Sequence, residues 1–294
     1  MAYLQDVKKT ELNSSYSVKP INLEGPRVTK NYIIGKSKYC NIIIPDGYKY
    51  TATYHAIVSS ISNFVDGIKE FYLGDLKTKG RTVVQRDFDD EFRVLKPVQC
   101  HEEQIKDEEE KNCEKIRLEP ATSADRIYKL KNNDKLTFGS EEYDKYKIRF
   151  LNEKFLNSQL EDVVNEDILT YVIGKSDLAS ITVPDRIRNF EVKNVDLFHS
   201  AIIGYKNNGE RKWGVIDLGT KGKTHIRRNG LVEDIKSSEN LEFDDEVKIG
   251  NKFADYNYTI FKLQHGDEIL LNGVEEEDLR GAYVFKFLEK LETK

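Results

Sequence analysis

Two short stretches carry residue types that could handle phosphate. Gly35-Lys36-Ser37 and Gly174-Lys175-Ser176 each set a glycine, an amino group and a hydroxyl in a row, directly after an apolar run. Lysine offers an anion a point charge, and glycine lets a backbone come close. The same order ends the phosphate loop of nucleotide hydrolases. That loop also needs a glycine five positions earlier and a helix after the serine. Lys30 and Leu169 fill the earlier positions and β-rich sequence follows, which argues against nucleotide hydrolysis. The histidines His55, His101, His199, His225 and His265 form no metal pair at helical spacing, and no Gly-x-Ser-x-Gly elbow is present. The scattered carboxylates give no assignable acid–base pair. The sequence therefore reads as a non-enzyme without metal or cofactor.

The elements that must position these residues occur twice. Tyr32-Ile33-Ile34-Gly35-Lys36-Ser37 runs on through Cys40-Asn41-Ile42-Ile43-Ile44-Pro45-Asp46. Tyr171-Val172-Ile173-Gly174-Lys175-Ser176 runs on through Ile181-Thr182-Val183-Pro184-Asp185. Each copy reads as a strand, a tight turn, a second strand and a Pro-Asp stop. Both then continue in one order. His55 or His199 opens a strand, and Asp75-Leu76 or Asp217-Leu218 closes the next. Loops at Lys77–Thr82 and Gly219–Thr224 come after them. Asn207-Asn208-Gly209 predicts a hairpin turn. Lys135–Gly139 is read as the closing strand of the first copy and Glu246–Gly250 as that of the second.

Composition fits small β domains. The chain has 294 residues, 16 Tyr and 14 Phe against one Met and six Pro, which favours strands over helices. No apolar run approaches the roughly 20 residues that span a bilayer. The first residues lack the features of a secretory signal, so a cytoplasmic or nuclear protein is expected. The net charge of −5 gives no global attraction to nucleic acid, and local basic loops leave a nucleic-acid-containing assembly open. Cys40, Cys100 and Cys113 share no ligand spacing and read as free thiols.

The remaining segments divide the chain. Residues 1–15 read as a polar arm, 16–152 as a first domain and 153–167 as a linker. A second domain follows at 168–265, with an extension at 266–294. Charged residues at about 86–125 read as an acidic surface insertion, helix or loop, in the first domain alone. Leu279, Tyr283, Phe287 and Leu291 recur at helical spacing, so a short C-terminal helix is expected, packed on the core or kept for a partner.

This twice-repeated series of motifs resembles the forkhead-associated domain over nearly the whole chain. The resemblance implies an all-β fold of two tandem antiparallel β-sandwiches with recognition loops gathered at one end. Members of that family typically bind phosphothreonine peptides. An arginine after the first glycine and a serine three residues before the histidine hold the phosphate, and an asparagine in the later loop holds the peptide. Here Lys36 and Lys175 replace the arginine. Ala52, flanked by Thr51 and Thr53, replaces the first serine, and Asp196 replaces the second. Gly80 and Gly222 fall at the asparagine, beside Lys79 and Lys221. A lysine lacks the bidentate fork, and a carboxylate repels phosphate. The resemblance implies bracing roles for Gly35, Gly174, His55 and His199. It also makes Lys36, Thr51, Thr53, Thr78, Lys79, Arg81, Lys175, Thr220 and Lys221 the candidate anion contacts. The expected function is a protein-interaction scaffold or regulatory subunit of a larger assembly. The alternative is phosphothreonine-dependent capture of a phosphorylated or acidic protein partner by the first domain.

Overall fold

Among the described residues, runs rich in β-branched and aromatic side chains flanked by turn residues become strands. The structure, a computed structural model, describes residues 2–7, 19–25, 29–48, 51–62, 67–76, 81–86, 92–94, 127–139, 145–187, 190–192, 195–218, 224–234, 260–271 and 282–289. The described residues form β1 (Tyr3–Asp6) and β2 (Ile21–Asn22), and then the strands of the first repeat. These are β3 (Thr29–Gly35), β4 (Ile42–Ile43), β5 (Ala56–Ser62), β6 (Lys69–Asp75), β7 (Arg81–Gln85), β8 (Phe92–Val94), β9 (Ile127–Lys129), β10 (Lys135–Gly139), β11 (Tyr146–Leu151) and β12 (Lys154–Leu156). The second repeat begins with β13 (Leu169–Gly174), β14 (Ile181–Thr182), β15 (Arg186–Ile187), β16 (Phe190–Glu191) and β17 (Ser200–Asn207). It continues with β18 (Glu210–Asp217), β19 (Thr224–Arg228), β20 (Leu231–Asp234), β21 (Phe261–Lys262), β22 (Glu268–Leu271) and β23 (Tyr283–Leu288). The fold is all-β. Among the described residues no helix is long and apolar enough to cross a membrane.

The strands make two compact units. One is Asn31–Glu166, and the other joins Met1–Lys30 to Asp167–Lys294. In the first-repeat unit the sheets run β4-β3-β5-β6-β9 and β12-β11-β10-β7-β8. In the second-repeat unit they run β14-β13-β17-β18-β21 and β2-β1-β23-β22-β19-β20, with β15 and β16 as a separate pair. Side chains from both sheets meet in one core in each unit. Phe71, Phe150 and Phe155 anchor the first, with the Phe71 and Phe150 ring centroids 4.9 Å apart. Tyr171, Trp213 and Phe287 anchor the second, and Trp213 is a core residue as its sequence context suggests. Each such buried ring contributes about 1.5–3 kcal/mol. Asn208 and Gly209 take positive φ, 50° and 81°, and close the β17–β18 hairpin as predicted.

Several expectations are corrected. The C-terminal helix is instead strand β23, in which Tyr283, Phe285 and Phe287 alternate into the core. A spacing of four fits a period of two as well as 3.6, and Phe285 between Tyr283 and Phe287 decides for a strand. The second repeat closes with β22 and β23, so its core extends well past 265. Leu136 lies opposite Val84 in the first unit, and Ile269 lies opposite Ile226 at the matching place in the second. Glu246–Gly250 lies outside the described residues. Both repeats therefore carry a long connection at one point in the strand order, β8 to β9 and β20 to β21. The presumed acidic insertion holds strand β8 at its start, and the rest of it lies outside the described residues. The N-terminal arm contains β1, whose Leu4 is fully buried. Finally, the sheets are mixed rather than purely antiparallel. β4 runs parallel to β3, and β14 runs parallel to β13.

Candidate functional site

The Gly-Lys-Ser turn of each repeat can lie against the loop before its buried histidine because glycine has no side chain to hold the two apart. A Cβ on Gly35 would come within 2.2 Å of the Thr53 carbonyl oxygen, and one on Gly174 within 2.1 Å of that of Leu197. The loops are stitched by backbone. The Lys36 and Ser37 N–H groups donate to the Ala52 and Thr53 carbonyls at 3.2 and 3.1 Å. The Lys175 and Ser176 N–H groups donate to Asp196 and Leu197 at 3.0 and 3.1 Å. Ser37 and Ser176 accept from the N–H two residues on, at 3.2 and 3.1 Å, which caps each turn.

His55 and His199 hold these loops from beneath, both fully buried. His55 Nδ1 accepts from the Ala52 N–H at 3.2 Å, and His199 Nδ1 accepts from the Asp196 N–H at 3.3 Å. The backbone N–H of each histidine donates to an anchor-strand carbonyl, His55 to Ile34 and His199 to Ile173, at 2.7 and 2.8 Å. Below them a buried aspartate ties the next strand. Thr82 Oγ1 donates to Asp75 Oδ2 at 2.5 Å, and His55 Nε2 stands 3.9 Å from that oxygen. The Thr224 N–H and hydroxyl donate to Asp217 Oδ2 at 2.9 and 2.8 Å. This frame brings the β3–β4 turn, residues 51–55, the end of β6 and the start of β7 together in one repeat, and the matching described residues together in the other.

The charged side chains differ between the frames. Lys175 Nζ donates to the Val192 carbonyl at 2.7 Å and pairs with Asp185 at 3.0 Å. Lys36 is half-buried, and among the described residues no group bonds its amino group. Partial burial lowers its pKa, against a smaller opposing pull from Asp46. Asp46 and Asp185 were missed as site residues, although the repeated Pro-Asp stop signals both. The Thr51 hydroxyl, buried, donates to the Tyr48 carbonyl at 2.7 Å and is spent inside the loop. Thr53 is half-buried, and its carbonyl accepts from Ser37 and from the Cys40 thiol. Burial pushes that thiol's pKa well up, so it stays protonated. Arg81 opens β7 opposite Gly139. Its side chain, and Thr78, Lys79, Thr220 and Lys221, lie outside the described residues.

In the first repeat the Lys36 amino group is the described group placed to meet an anion, since the Lys36 and Ser37 N–H groups already donate to the facing loop. In the second, the matching amino group is already neutralised from within. Among the described residues no cluster of histidine, cysteine or carboxylate groups could hold a metal ion. No family model matches the chain, and no curated protein matches it.

Proposed function

We propose that this protein is a non-enzymatic interaction scaffold or regulatory subunit of a larger assembly, cytoplasmic or nuclear, built on two forkhead-associated-like β-sandwich units. The carrying observation is the internal closure of Lys175 by Asp185 and the Val192 carbonyl, at the place where the resemblance puts a phosphate contact. Thr51 adds to it, because its hydroxyl already serves Tyr48. A charge-assisted phosphate site needs several converging free donors, and the second repeat offers none of this kind from Lys175. The partner is a protein, alone or within a nucleic-acid-containing complex. In the latter case binding falls steeply with salt. The test is recovery of stable partners by tagged protein from cells, with and without phosphatase. Equal recovery, unaltered by Lys36→Ala, is expected. Release of the partners by phosphatase would overturn the reading.

A second reading has its own support. The Lys36 amino group is partly desolvated and bonded to nothing among the described residues, as an anion contact would be. It makes the first repeat a phosphothreonine reader. A degenerate phosphothreonine peptide library set beside its unphosphorylated twin tests it, and phosphate preference must vanish in Lys36→Ala.

A further inference from the structure

Each unit is completed by an edge strand at the same place, but the two strands come from different parts of the chain. β12 precedes the anchor strand of the second repeat, yet it pairs with β11 of the first, Phe155 opposite Phe150. β1 precedes the anchor strand of the first repeat, yet it pairs with β23 of the second, Leu4 opposite Phe287. Short partners back both strands. Ile21 lies opposite Leu4, and the Val163 N–H donates to the Phe155 carbonyl at 2.9 Å. The two strands reach that place by different routes. β12 follows β11 through a two-residue turn, Asn152 and Glu153, at φ of 48° and 65°. β1 joins β23 from the opposite end of the chain, with all of Asn31–Glu166 between them in sequence.

The chain after β23 is unsuited to that place. In the first repeat Leu151 is followed by the turn and then Lys154-Phe155-Leu156. At the same spacing Leu288 is followed by Leu291-Glu292-Thr293. Glu292 would fall where Phe155 is buried, and burying an unpaired carboxylate is strongly unfavourable. Leu4 fills the place instead, fully buried. Two residues on, and on the same face, the buried Asp6 accepts a 2.6 Å hydrogen bond from the Tyr283 hydroxyl. The slot thus reads an apolar side chain and a carboxylate in alternate positions of an extended chain.

We propose that the slot beside β23 is a peptide-binding site for an extended segment with an apolar residue followed two positions later by a carboxylate, and that β1 is its tethered occupant. A partner segment enters as an added strand. Main-chain pairing with β23 gives affinity, and the Leu4 place and Tyr283 hydroxyl give selectivity. β1 competes from the same chain at high effective concentration, so the site opens when β1 is weakened. This rests on strand pairing and is independent of any phosphate contact.

The probe is a fluorescent peptide of residues 1–7, titrated by anisotropy into full-length protein. Leu4→Ala protein that keeps a cooperative melt should saturate at concentrations roughly tenfold or more below those at which the wild type responds. Peptide carrying Leu4→Ala should not bind. Peptide carrying Asp6→Asn should bind roughly tenfold more weakly, and Tyr283→Phe in the protein should erase that difference. A folded Leu4→Ala protein that ignores the peptide, or takes both leucine and alanine peptides equally, overturns the proposal. Should Leu4→Ala not fold, the full chain is given a protease site within residues 9–17 and cut after folding. The freed strand must then exchange for labelled peptide added in excess, and failure to exchange overturns the proposal equally.

Discussion

The loop apex of the first repeat and that of the second share a backbone and differ in charge. Lys36 and Lys175 leave the same turn, with N–H to carbonyl distances to the facing loop of 3.2 and 3.0 Å. Lys175 then meets Asp185 and the Val192 carbonyl, whereas Lys36 has Asp46 only as a weaker, opposing influence on its partly buried charge. Under each apex a buried histidine holds the loop, and a buried aspartate accepts from a threonine of the next strand. A repeat can thus keep the scaffold that presents a site while one copy neutralises the group that would use it.

The sharpest way to break that comparison is to attack the frame. Gly35→Ala and Gly174→Ala each drive a methyl into a carbonyl oxygen at 2.2 or 2.1 Å, and a backbone oxygen has little room to yield. Each should cost about 3 kcal/mol or more, read as loss of the cooperative melt of the affected unit. Similar losses are expected from both. A tolerated alanine in either repeat would show that the two frames are not equivalent.

A smaller effect is expected one layer down. Thr82→Val and Thr224→Val each take a hydroxyl from a buried aspartate at near-constant shape. Each should lower stability by about 1–3 kcal/mol in denaturant melts, with Thr→Ser restoring most of it. If only one repeat responds, the aspartate is a fastener in that repeat alone.

How much of this was legible in the sequence follows from the range of each interaction. The anchor strands, the Asn208-Gly209 hairpin and the repeated Asp-Leu at 75–76 and 217–218 are local patterns, and each could be read directly. The C-terminal strand was not, because Tyr283 and Phe287 satisfy a helical spacing and a strand spacing alike. The strand at Tyr3–Asp6 was hidden for another reason. Four residues with one strongly apolar side chain carry no periodic signal, and their burial is set by β23, at the far end of the chain. The site was half legible. The glycines, histidines and lysines could be picked out by motif. The partner carboxylate Asp185 and the Val192 carbonyl could not be matched to Lys175, since a turn sequence does not state which way a long flexible side chain will fold.

The finest test addresses the two lysines themselves. Lys175→Met removes a hydrogen bond to a buried carbonyl and an ion pair whose aspartate is 82% exposed. The ion pair is worth little in water, so about 1 kcal/mol is expected, mostly from the carbonyl. Lys36→Met should act in the other direction. Its folded-state pKa lies below the ordinary 10.5, so the unfolded chain holds that proton more tightly than the folded one. Stability then rises with pH through the window below 10.5, as the charge that burial disfavours is given up. At neutral pH the wild type bears that cost and Lys36→Met does not, so the variant should melt slightly higher. The gap should close as the pH approaches 10.5. Melting curves of the two variants from neutral to alkaline pH separate the cases. A Lys36→Met variant that is less stable than wild type at neutral pH would mean that Lys36 has a stabilising partner in the folded chain, and the contrast between the two apexes would fall.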